Sequence, residues 1–126
     1  MKRILLVDDE QDQIFVIKIA LEDSYQGEFE IIAAENGEKC LNFLKEGKNP
    51  DLILLDIMMP EMSGWEVYDK IRDNPDWRHI PIVFLTARTD RIAENAGEFL
   101  GDDFIEKPIE IDQLRKRINS VLEKKE

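Results

Sequence analysis

Three short runs along the chain are apolar at every position: Ile4-Leu5-Leu6-Val7, Leu52-Ile53-Leu54-Leu55 and Ile82-Val83-Phe84-Leu85. A strand with one wet face alternates apolar and polar residues, whereas a strand covered on both faces does not. These runs therefore predict strands of a parallel sheet flanked by helices. Between them the period becomes helical. Ile14, Ile17 and Leu21 form one stripe, and Phe15, Val16 and Ile19 make the same helix apolar on a second side, which suits a partner. After a break at Gln26-Gly27, Phe29 to Ala34 reads as a strand. Asn36-Gly37 then opens a helix with Cys40, Leu41 and Leu44 inward, closed by Gly47 to Pro50. Trp65, Val67, Tyr68 and Ile71 mark a third helix, stopped by Asn74-Pro75. Ile92, Ala96, Phe99 and Leu100 predict a fourth helix, weakened inside by Gly97. Phe104-Ile105 is a short fifth strand, and Leu114, Ile118, Val121 and Leu122 mark the last helix. The order βαβαβαβαβα predicts an α/β fold: a five-stranded parallel sheet with right-handed crossovers and helices on both faces.

The strand ends carry the candidate chemistry. The first run stops at Asp8-Asp9, the third strand at Asp56, the fourth at Thr86, and Lys107 follows the fifth. In a parallel sheet these ends share one edge, where ligands of open α/β sheets bind. Asp56 fits two readings at this point, a cap for the loop punctuated by Pro60 and Gly64, or a carboxylate held for reaction. Asp9 likewise fits a helix cap, Thr86 a loop-start hydroxyl, Lys107 a surface lysine and Phe104 plain core. Convergence needs a reason, because two carboxylates about 5 Å apart repel by roughly 3 kcal/mol at an effective dielectric near 20. Three together take up protons or hold a divalent cation. Oxygen donors without His or Cys favour Mg²⁺ or another hard dication, which leaves room for phosphate oxygens. Lys107 would supply a charge for one such oxygen and Thr86 a hydrogen bond for another. The assembly suits transfer of a phosphoryl group to an aspartate, with Asp56, at the end of the central strand, as the acceptor.

Composition narrows the function classes. A length of 126 residues makes one domain with a core of its own. A formal charge of −11 argues against nucleic-acid binding, which depends on Lys and Arg neutralising phosphates. No run approaches a membrane span, the N-terminus has no signal-peptide pattern, and the lone Cys40 forms no internal bridge, so a reducing, cytoplasmic location is expected. Met58, Met59 and Met62 read as loop packing, Cys40 as core and His79 as solvated.

With Asp8-Asp9, Asp56 with Pro60 and Gly64, Thr86-Ala87 and Lys107-Pro108 each at its own strand end, the chain resembles the receiver domain of two-component response regulators, over essentially its whole length. The resemblance is to a stand-alone, chemotaxis-regulator-like member, residues 1–126 with no output domain. It implies the flavodoxin-like doubly wound (βα)5 fold, strand order 2-1-3-4-5. It also implies that Asp56 is phosphorylated by a histidine kinase or phosphotransfer protein, with slow self-dephosphorylation as the only enzymatic trait. Asp9, Asp56 and the Met58 carbonyl would hold Mg²⁺, with Asp8 acting largely through water. Thr86 and Lys107 would bind phosphoryl oxygens, Phe104 takes the place of the family's switch aromatic, and the Lys107–Pro108 bond would be cis. Arg91, Ile92, Asn95 and Gly97 would lie on a surface that reads the switch out to a downstream protein, and dimerisation on phosphorylation is compatible with it. Met58 and Arg88 would flank the approach of hydrolytic water. Where the family commonly reads Gly-Ala-Asp-Asp, this chain has Leu100-Gly101-Asp102-Asp103 before Phe104, which bears on the end of the fourth helix. Two further readings compete. An interaction module of the same fold would work without phosphorylation. A haloacid-dehalogenase-type phosphohydrolase would need a second Asp where Met58 stands. No glycine-rich loop follows the first strand to hold a dinucleotide.

Overall fold

In the computed structural model the described residues are 1–86, 103–106 and 110–125. The helix expected around Ile92, with Arg88, Arg91, Asn95, Gly97, Leu100 and Gly101, lies outside them, as do Lys107 and Pro108. Five strands run in the sequence β1 (Lys2–Val7), β2 (Phe29–Ala34), β3 (Leu52–Asp56), β4 (Ile82–Thr86) and β5 (Asp103–Glu106). Their described partners are α1 (Gln11–Ser24), α2 (Gly37–Lys45), α3 (Gly64–Asp73) and α4 (Ile111–Lys125). All pairings are parallel and the order is β2-β1-β3-β4-β5, as the resemblance implies.

The apolar runs are continuous because the sheet is covered on both sides. Leu5, Val7, Ile53, Leu55, Ile82 and Phe84 pack with Cys40, Leu44, Val67 and Ile71 of α2 and α3. Their neighbours Ile4, Leu6, Leu52, Leu54, Val83 and Leu85 pack on the opposite side with Ile14, Ile17 and Leu21 of α1 and Leu114, Ile118 and Val121 of α4. Phe84 anchors the first layer, with Trp65 and Tyr68 rings centred 4.7 and 5.5 Å away. Cys40 lies in that layer, and burial pushes its thiol up to about 12. His79 is exposed.

Helix starts follow local chemistry. The Asn36 side chain accepts from the Lys39 N–H at 2.8 Å and Ser63 from the Glu66 N–H at 3.3 Å, each closing the first turn of its helix. α1 begins differently: Glu10 stands at its cap position without a side-chain cap bond. Phe15, Val16 and Ile19 project from α1 into solvent. Among the described residues, no helix is long and apolar enough to cross a membrane.

Candidate functional site

β1 and β3 are adjacent and parallel, with Val7 opposite Leu55, so the residues that follow them emerge at the same carboxyl edge. Asp8, Asp9 and Asp56 meet there: each offers a carboxylate oxygen, and these atoms lie within 4.8 Å of one another. Asp8 and Asp56 are the two buried charged residues in the described part of the chain, 0% and 4% exposed. Asp9 is exposed. Both faces of the sheet are covered, so alternation does not separate the two; Asp8 is still held against the end of β2, its N–H donating to the Ala34 carbonyl at 3.1 Å, and Asp9 is the next residue out. Asp8 Oδ1 accepts from the Glu10 N–H at 3.0 Å, which steers the chain into α1. That bond accounts for the entry to α1 through Asp8 rather than through a cap by Asp9.

The loop after Asp56 is wound tightly. Met62 N–H donates to the Pro60 carbonyl at 2.7 Å and Gly64 N–H to the Ile57 carbonyl at 2.9 Å, while Glu61 takes a left-handed φ of 67°. Gly64 lies against the backbone of Asp56 and Ile57, so close that a Cβ there would come within 2.8 Å of Ile57 Cα. The sequence marks Gly64 only as loop punctuation; its contact with the Asp56 peptide is a tertiary fact. Met58 corrects one expectation. It is 67% exposed two residues after Asp56, whereas Met59 is buried and Met62 packs against the α2–α3 side of the core. Ile57 and Met59 on either side of it are buried, so the loop turns Met58 alone of the three outward.

Thr86 is described in its backbone, as the last residue of β4, paired with Glu106. Phe104 stands in β5 opposite Phe84 and packs, half-buried, against the α2–α3 side of the core. The Lys107 ammonium and the Lys107–Pro108 bond lie outside the described residues.

Fold and edge together define a phosphoacceptor class: two buried carboxylates and an exposed one, at the carboxyl edge of a doubly wound sheet, with oxygen donors able to hold a hard metal ion. Residues 4–119 match the response regulator receiver domain family, and the chain belongs to it. It is 41% identical over 123 residues to a probable cyclic di-GMP phosphodiesterase of Vibrio cholerae, covering 97% of this chain and 27% of that protein. It is 38% identical over 122 residues to the response regulator PleD of Caulobacter vibrioides, covering 94% of this chain and 26% of PleD. The chain thus spans about a quarter of the length of these curated relatives. The crystal structure of the signal receiver domain of a signal transduction histidine kinase from Syntrophus aciditrophicus superposes with a TM-score of 0.85 at 32% identity, covering 98% of this chain and 91% of that one. Receiver domains are phosphoacceptors of two-component signalling rather than enzymes, they bind Mg²⁺ at an acidic pocket, and they interact with histidine kinases and downstream effectors.

Proposed function

We propose that Asp56 is the phosphoacceptor of this chain, and that residues 1–126 work as one cytoplasmic receiver unit. The observation that carries the proposal is the buried Asp56 carboxylate gathered with those of Asp8 and Asp9, within 4.8 Å by their ligand oxygens. The donor set is hard and anionic, which fits Mg²⁺: Asp9, Asp56 and the Met58 carbonyl would hold it directly and Asp8 through water. When bound, that ion neutralises the cluster and the charge on the phosphoryl oxygens.

The step itself is a displacement. An Asp56 carboxylate oxygen attacks phosphorus, the bond from phosphorus to the nitrogen of a phosphohistidine breaks, and its electron pair stays on that imidazole. Asp56 is fixed at a rigid strand end, and its backbone is held by the Gly64 contact, so the nucleophile is oriented before the donor arrives. Thr86 and Lys107 would bind the transferred oxygens. Their engagement, with Phe104 moving in concert and a cis Lys107–Pro108 bond aiming the lysine, would change the surface that includes Arg91, Ile92, Asn95 and Gly97. The donor is a histidine kinase or histidine phosphotransfer protein, and a downstream protein reads the change. Self-hydrolysis of the aspartyl phosphate is slow, with exposed Met58 beside the water approach.

Incubation with acetyl phosphate and Mg²⁺ followed by mass spectrometry tests the assignment. One phosphoryl adduct is expected on the wild type, and none on Asp56→Asn or after chelation of the metal. An undiminished adduct on Asp56→Asn overturns it, and no adduct on folded wild type favours a phosphorylation-independent interaction module.

A further inference from the structure

β2 is an edge strand, and the outward N–H and carbonyl of its Ile31 are already occupied from outside the sheet. Lys2 N–H donates to the Glu28 carbonyl at 2.9 Å and Asp8 N–H to the Ala34 carbonyl at 3.1 Å. In a parallel ladder this alternation turns the even-numbered residues of β2 toward β1, and turns the peptide groups of Phe29, Ile31 and Ala33 outward. Two side chains one helical turn apart on α1 reach over that edge. Glu22 Oε2 accepts from the Ile31 N–H at 3.0 Å, and Lys18 Nζ donates to the Ile31 carbonyl at 3.3 Å. Both outward groups at the centre of the strand are satisfied by the chain's own charges.

We propose that Lys18 and Glu22 form an edge guard that keeps β2 from pairing with β2 of a second copy of this chain. The competing partner is a second copy because the edge is self-complementary about Ile31. In an antiparallel hydrogen-bonded pair, residues directly opposite exchange both N–H···O bonds. A two-fold axis at Ile31 would therefore pair its N–H and carbonyl with those of its mate, the same two groups that Glu22 and Lys18 now hold. In that register Phe29 faces Ala33, and Glu30 faces Ile32 rather than another Glu30, so no like charges oppose each other. The strand, Phe-Glu-Ile-Ile-Ala-Ala, has one charge and no proline, the composition of an edge that pairs readily when left open. The inference stands independently of the phosphoacceptor assignment.

The test compares folded variants by sedimentation equilibrium and by hydrogen exchange. Lys18 is exposed and Glu22 half-buried, so Lys18→Ala/Glu22→Ala removes no core contact. The double variant is expected to reach twice the wild-type mass at a protein concentration where the wild type shows none of that increase. Adding Ala33→Pro should return it to the wild-type mass, because Ala33 directs its N–H outward and proline deletes an edge donor without cutting the β1 ladder. Glu22→Gln keeps an acceptor for Ile31 and should behave as wild type. At the level of one amide, and at a dilution where the variant sediments as a monomer, exchange at Ile31 should quicken in Glu22→Ala and not in Glu22→Gln, a readout that holds even if the double variant fails to fold. A folded double variant of unchanged mass, an increase that survives Ala33→Pro, or unchanged Ile31 exchange in monomeric Glu22→Ala overturns the proposal.

Discussion

Gly64 holds the acceptor loop in place by having no side chain. Its N–H bonds the Ile57 carbonyl at 2.9 Å, and the space a methyl would need is taken by the Asp56 carbonyl and by Ile57 Cα. Gly64→Ala must push backbone against backbone, and the expected cost is about 1–3 kcal/mol, read as a lower urea midpoint at unchanged slope. The phosphorylation rate should fall more than stability explains, since the displaced backbone belongs to the nucleophile. Gly37→Ala is the control. There a methyl would meet side chains rather than backbone, the flexible end of Met62 and the buried Cγ2 of Val67, so a stability loss from repacking is expected without the excess loss of phosphorylation rate. At this scale the acidic residues were legible from their positions after apolar runs, and their inequality was not. Which of two adjacent aspartates is buried depends on how the strand ends and where its neighbours stand, and that put Asp8 inside and Asp9 outside.

The elements vary in how much of their stability is local. α2 is nine residues long, too short to persist alone, and it starts from a well-formed Asn36 cap. Asn36→Ala should lower unfolding free energy by about 1 kcal/mol, measured by urea denaturation. α3 carries the same device in Ser63, at a longer distance. α1 lacks a side-chain cap and relies on packing: Ile14, Ile17 and Leu21 seat it on the sheet, and Asp8 orders its entry. The helical stripes and the breaks at Asn36-Gly37 and Asn74-Pro75 fixed these elements in advance, because amphipathic period and turn chemistry are local properties. The reach of Lys18 and Glu22 to β2 was beyond such reading, since a charged i, i+4 pair on an amphipathic helix looks solvated until the edge strand is placed beside it.

Across the whole molecule, a polar cluster ties the end of α1 and the start of β2 to α4. Arg115 Nε bonds Glu28 at 2.9 Å, Asn119 donates to Glu28 at 3.1 Å, and Lys2 donates to Asn119 at 2.6 Å. Tyr25 bonds Asp112, and the Arg115 guanidinium stacks 4.3 Å from the Tyr25 ring centre. The Arg115 hydrogen bond, helped by Asn119, holds the Glu28 carboxyl below its ordinary 4.5. A depressed carboxylate contributes stability that is complete above its unfolded value and lost as pH falls through the folded one. Acidification from about pH 5.5 to about pH 3.5 should therefore lower the urea midpoint of the wild type more than that of Glu28→Gln. Equal slopes for the two would remove Glu28 from the acid response.

By itself the sequence determined the alternation of strands and helices, the parallel sheet and the identity of the acids at its carboxyl edge. Each of these follows from period, turn residues and the single direction that βα crossovers impose. Only the tertiary structure decided which carboxylates are sealed from water, that Gly64 presses on the Asp56 peptide, that Met58 faces outward, and that Lys18 and Glu22 of α1 bond the outward groups of Ile31 in β2. Those facts depend on distances between segments far apart in the chain, and residue order carries no record of a distance until the sheet brings the segments together.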